Sequence, residues 1–236
     1  MYKKFCAFTL AEALITLGII GVVAALSYPV LMNYIGNKYT TQARKCYADM
    51  QKLVSSLEGE LGPYEVWPDF TNDFFEKYVD KRLAYVKKKE FNDTTNAVYE
   101  GYDNFNSHNS VYEYLLQNGS IYIFGVYNTK WATQITVDVN GNEGPNMFGV
   151  DVYQMTLNTS SDVRYGYPHG FGPAGRDYSK DDITKYCSRT PLGVWYIVGY
   201  VQGVDSKTNN HSTCLAWLVN HNFQLKDYPI KKWGED

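Results

Sequence analysis

The sequence predicts an α+β fold, a long N-terminal α-helix followed by an antiparallel β-sheet head, and three observations predict it. An uncharged apolar run occupies Ala13 to Met32. Behind it, Ala43, Cys46, Tyr47, Met50, Leu53, Val54 and Leu57 recur at spacings of three and four, the period of one helix face. From Val111 the period changes to two, and Asn118-Gly119 separates two alternating stretches, a strong short-range hairpin signal.

Composition bounds the rest. A chain of 236 residues with 44% hydrophobic and 20% charged residues has material for one sizeable core plus an attached element, which excludes wholesale disorder. A net charge of -3 offers no basic field for phosphates, so no nucleic acid is expected as a partner of the head. The aromatic fraction of 16%, led by 22 Tyr, suits half-buried strands in which a ring packs inward and a hydroxyl reaches water.

The first element is a membrane crossing. Twenty residues from Ala13 to Met32 carry no charge, and at about 1.5 Å per residue they span roughly 30 Å, the thickness of a bilayer's hydrocarbon core. Lys3 and Lys4 precede the run, which holds the N-terminus in the cytoplasm and places the body on the far side. A cleavable secretory signal is the rival reading. Against it stand the length of the apolar run, the want of a clean small-x-small site after it, and Glu12 inside the otherwise apolar segment. A carboxylate in a membrane helix costs on the order of a few kcal/mol unless it is paired, so Glu12 points to a partner in an assembled state.

The stretch Lys3-Lys4-Phe5-Cys6-Ala7, followed by Phe8-Thr9-Leu10-Ala11-Glu12-Ala13-Leu14-Ile15-Thr16-Leu17-Gly18, resembles the class III leader and N-terminal helix of type IV pilins and the pseudopilins of type II secretion systems. The resemblance implies that a prepilin peptidase cuts between Ala7 and Phe8 and methylates Phe8, that Glu12 serves filament assembly, and that Pro29 kinks the helix. Ala7 departs from the family's usual Gly and keeps its small size. The organisation implied is a leader at 1–7, a transmembrane and polymerisation helix at 8–32, the periplasmic half of the same helix at 33–61 and a globular α+β head at 62–236. The partners implied are copies of the chain and other pilin-like subunits, the prepilin peptidase, an inner-membrane assembly platform and the lipid bilayer, with no enzymatic activity. The implied location is the inner membrane, single-pass, and then an extracytoplasmic filament.

Physics supports those roles independently. A trimmed Phe8 carries a positive amine into a low-dielectric helix bundle, and Glu12 of one subunit answers that charge on its neighbour, which fixes the axial register of stacked helices. Gly18, Gly21, Ala24 and Ala25 let helix backbones approach closely, since lipid supplies no hydrophobic drive for association. Pro29 removes one intrahelical hydrogen bond.

Beyond the membrane run, good helix formers continue to Leu61, where Gly59, Gly62 and Pro63 supply the stop. Residues 74–89 read as a further helix ending in the solvated run Lys87-Lys88-Lys89, and 92–108 as a polar surface loop. Strands are expected at Val111–Gln117, Ser120–Tyr127, Trp131–Val139, Val150–Leu157 and Gly193–Val201, with a second Asn-Gly turn at Asn140-Gly141. Cys214 to Val219 reads as a strand or a short buried helix, and periodicity leaves both open.

Several residues have candidate chemistry. Asp138, Asn140, Asn142 and Asp151 gather oxygen ligands around a glycine-bearing turn, a pattern that suits calcium; the competing reading is a hairpin whose Asn and Asp side chains bond their own backbone. The resemblance adds that some pseudopilin heads use calcium to fix such a loop. Cys187 and Cys214 lie in the C-terminal third, and a bridge between them would close a loop worth about 3 kcal/mol; Cys46 falls on the helix's apolar face as a small hydrophobe, with pairing to another Cys left open. Gly170, Gly172 and Gly175 match Gly-x-Gly-x-x-Gly, but no strand-helix unit surrounds them, so the match is accidental and Tyr165 to Tyr178 reads as an exposed loop. His108, His169, His211 and His221 show no zinc spacing or nucleophile pairing. The rivals to a filament subunit are a monomeric membrane-anchored exported ligand-binding protein and an anchored enzyme, the latter without a triad, metal cluster or phosphate loop.

Overall fold

The computed structural model describes residues 9–91, 110–128, 132–141, 143, 149–160, 169–187 and 213–229, with backbone only at 32, 91, 110, 127 and 128. Two compact units divide between Lys38 and Tyr39. The expected strand at Gly193–Val201 and the surface loop at 92–108 lie outside the described residues.

Helix α1, Leu10–Leu61, is 52 residues long and contains Pro29. In the first unit its apolar side chains point outward, from Leu10 at 79% exposure to Leu26 at 72%. It is long and apolar enough to cross a membrane. In the second unit the expected stripe is buried: Ala43, Cys46, Met50, Leu53, Val54 and Leu57 all lie in the core. The helix stops where Gly62 adopts a φ of 84°, a left-handed conformation that costs a residue without Cβ little, and its N–H still reaches the Glu58 carbonyl at 2.9 Å.

The segment expected as a helix over 74–89 is different. Only Asn72–Phe74 (α2) and a π-helical turn at Phe75–Val79 are helical, and the chain then forms strand β1, Tyr85–Phe91. The lysines belong to a strand, not to a wet helix end. Lys88 points to one side, bonds Asp80 at 2.9 Å and lies over the Tyr112 and Tyr114 rings; Lys89 points to the other and meets Glu113 at 2.9 Å. Period two with a carboxylate partner on each side holds the run extended.

Strands β2 (Ser110–Leu116), β3 (Ile121–Asn128), β4 (Ala132–Asp138), β5 (Val152–Asn158) and β6 (Gly170–Pro173) complete a six-stranded antiparallel sheet in consecutive order. The Asn118-Gly119 turn closes β2 onto β3: Gly119 has φ 84°, and Ser120 donates its amide to Asn118 Oδ1 at 3.0 Å. Gly141, at φ 69°, sits against the Gly119 carbonyl, so the two Asn-Gly turns touch. Register alternation aims Tyr122, Phe124, Ile135 and Leu157 at α1, where the Tyr122 hydroxyl donates to the Cys46 carbonyl at 3.3 Å. Phe75 stacks on Tyr112 at 3.8 Å beside them. Both faces of β4 and β5 are buried, and on the face turned from α1 the register pair Thr136 and Gln154 carries two buried atoms, Thr136 Oγ1 and Gln154 Nε2, that have no hydrogen-bond partner among the described residues.

Two short helices end the described chain. The helix α3, Lys180–Cys187, packs against α4, Cys214–Asn220, which settles the open choice at Cys214–Val219 in favour of helix.

Candidate functional site

The start of α1 concentrates the chemistry that the sequence assigns to assembly. Thr9 precedes the first helical residue and Glu12 stands three positions on, the spacing of a capping box. The Thr9 amide donates to Glu12 Oε2 at 2.9 Å, the Thr9 hydroxyl donates to the same oxygen at 2.8 Å, and the Glu12 amide donates back to Thr9 Oγ1 at 3.3 Å. The carboxylate is therefore folded onto its own helix start. Further along, the Thr16 hydroxyl bonds the Glu12 and Ala13 carbonyls and the Ser27 hydroxyl bonds the Val23 carbonyl, so these polar groups are satisfied within the helix. Sequence reading picked out Glu12 and passed over Thr9; the Thr-x-x-Glu pattern was the signal that names both.

Ala7 and Phe8, the expected cut and methylation positions, lie outside the described residues. Pro29 lies inside α1, where its missing N–H leaves the carbonyl one turn earlier without its usual partner.

The acidic turn is arranged around the end of β4. Asp138 and Asp151 are both fully buried, and the Val139 amide donates to the Asp151 carbonyl at 2.9 Å. The Asn140 amide donates to Asp138 Oδ1 at 3.2 Å, and its side-chain amide donates to the Glu143 carbonyl at 2.6 Å and to the Tyr39 hydroxyl at 3.4 Å. That is a turn bonding its own backbone. Burial, then the charges of Asp151, Glu143 and Asp138, raise the Tyr39 hydroxyl pKa. Asn142 lies outside the described residues, and among the described residues no three His, Cys, Asp or Glu side chains form a group able to hold a metal. Asp138, Asn140 and Asp151 are thus the described members of the expected ligand set, all at the end of β4 and the start of β5.

Cys187 and Cys214 are bonded to each other, joining the end of α3 to the start of α4. Cys46 is a free, buried thiol, and burial pushes its pKa up. The Gly170, Gly172 and Gly175 stretch is not the exposed loop the sequence suggested over its described part: it builds β6 and the turn after it. A Cβ on Gly172 would lie 2.6 Å from Arg176 Cδ, because that side chain crosses the strand to donate to Thr156 Oγ1 at 2.8 Å and to the His169 and Gly170 carbonyls at 2.9 Å. Gly172 is there for an arginine, while Gly170 and Gly175 have positive φ, 80° and 75°, and lie against Tyr64 and Thr213. His169 meets Glu65 at 3.2 Å and His221 stacks on Trp217 at 3.7 Å; His108 and His211 lie outside the described residues.

Set against known proteins, the chain matches no family model, no curated protein and no solved structure.

Proposed function

We propose that this chain is a type IV pilin-like or pseudopilin structural subunit. It enters the inner membrane with its N-terminus cytoplasmic and its head exported, is cut between Ala7 and Phe8, is methylated at Phe8 and polymerises through residues 8–32 into an extracytoplasmic filament for secretion, adhesion, motility or DNA uptake. The observation that carries this reading is the first unit: a helix with apolar side chains exposed along both sides and a single carboxylate, Glu12, at its start. A tether needs the apolar surface, and for it the acid serves only to cap its own helix start. A polymerising helix uses both, the acid answering the neighbour's new amine and the apolar surface packing against other copies.

The test separates this reading from a membrane-anchored ligand-binding protein. Glu12→Ala and Glu12→Leu should leave membrane insertion intact and remove the subunit from sheared filaments, whereas a tethered receptor would be indifferent to either change. Mass spectrometry of the native subunit should find a methylated Phe8 at its N-terminus. A native protein that keeps residues 1–7 and never enters fibres sinks the reading. Calcium at Asp138, Asn140, Asn142 and Asp151 is a subsidiary part of the proposal, supported by the two buried carboxylates beside Tyr39; a titration with calcium that gives neither heat nor a thermal shift removes it.

A further inference from the structure

The sheet runs in consecutive order from β1 to β6, so it has two edge strands, and they are finished differently. β6 is four residues long, ends in Pro173 and is crossed by the Arg176 side chain, all features that close an edge to further pairing. β1 is seven residues long and pairs with β2 alone among the described residues. Its outer row of N–H and C=O groups is a template for another strand. Val86 sits at the bulge in the β1–β2 register, opposite no residue of β2, and is 63% exposed. Lysines on an edge ordinarily keep other strands away. Here two of the three are answered from within the chain, Lys88 by Asp80 and Lys89 by Glu113. Lys87 is exposed, its cross-strand neighbour on β2 is Leu115, and it makes no ion pair among the described residues. The cross-strand position left to answer its charge is therefore the one on the open side of β1.

We propose that the open edge of β1 is a docking site for an extended acidic segment of another protein, which adds a strand beside β1 and sets carboxylates two residues apart opposite Lys87 and Lys89. Those two lysines share one side of the sheet, and the Lys89 side chain is still 44% exposed beside Glu113. Backbone bonds along the edge supply affinity, Val86 adds apolar contact, and the lysines choose the partner. A second copy of β1 is a poor occupant: paired antiparallel about Lys88, it sets lysine against lysine at 87, 88 and 89. The edge belongs to the second unit, and its use does not require entry into a filament.

The experiment titrates the full chain in detergent with a synthetic peptide, as long as β1, that alternates glutamate with valine, and with a second peptide carrying lysine in place of glutamate, while amide hydrogen exchange is followed across residues 85–91. The acidic peptide should bind about tenfold more tightly than the basic one and slow exchange in β1. Lys87→Glu, an exposed change, should lose about tenfold for the acidic peptide and gain for the basic one. N-methylation of alternate peptide amides should abolish binding in one phase and spare it in the other, because alternate amides of an added strand face the edge. No binding of the acidic peptide, or equal affinity for the two peptides, overturns the proposal. So does indifference to both methylation patterns, which would reduce the contact to charge alone. Slowed β1 exchange on raising the protein concentration without peptide gives the edge to a second copy of the chain, and overturns it as well.

Discussion

One helix, α1, obeys two rules on the two sides of Lys38. Before it, Leu14, Ile15, Leu17, Ile19 and Ile20 are all exposed at more than half of their surface; after it, Ala43, Met50, Val54 and Leu57 keep no more than 2%. Both halves are α-helical and rich in apolar residues. The difference lies in arrangement: consecutive apolar positions leave no polar face and suit lipid or a helix bundle, while a stripe at three and four suits a single sheet in water. The first half is therefore specified by what surrounds it and the second by what the same chain folds against it. A change in the first should alter where the protein goes and not how firmly the head folds, and a change in the second should do the reverse.

The largest expected effect tests the first half. Glu12→Ala should take filament incorporation to background while the thermal unfolding of the detergent-solubilised chain stays where it was; a lowered midpoint would break the separation. In the second half, Met50→Ala empties a fully buried site against the sheet and should cost about 2–5 kcal/mol in denaturant unfolding, with membrane integration unchanged. Replacing Cys187 and Cys214 by Ser should cost about 2–4 kcal/mol by the same measurement. Tyr114, Tyr153 and Tyr228 sharpen the contrast through pH. Burial raises all three hydroxyl pKa values above the ordinary value of about 10. The unfolded chain ionises there and the folded head does not, so this contribution is complete below pH about 10 and is lost as pH rises above it. Absorbance at 295 nm should show these phenols titrating only as the head unfolds. Smallest is Thr136→Val, which removes a buried hydroxyl that has no partner among the described residues and keeps the side-chain shape; unfolding should be unchanged or stabilised by up to about 1 kcal/mol.

Legibility in the sequence followed how local each cause is. The stripe on α1, the two Asn-Gly turns and strands β2 to β5 rest on periodicity or turn chemistry within a few residues, and the expected bounds of these four strands lie within two residues of the observed ones. The stretch after Phe74 was misread because Lys88 looks solvated until Asp80, Tyr112 and Tyr114 surround it, and two of those partners come from a strand more than twenty residues away. Strand β6 escaped notice for a similar reason: Gly172 is required by Arg176, whose bonds run to Thr156 on β5, and Gly170, at φ 80°, lies against Tyr64. At the helix start the acid stands out by contrast with its apolar neighbours, while Thr9 is legible only as the other half of a Thr-x-x-Glu pattern, which the hydrogen bonds then draw.

The position of Cys46 bears on how the chain reaches its oxidised form. Thiolate, not thiol, attacks a disulfide, and a sulfur buried under the sheet with its proton held on is a poor competitor for Cys187 or Cys214. Once this part of the long helix has packed into the core, Cys46 is withdrawn from exchange with the Cys187–Cys214 bridge by packing alone.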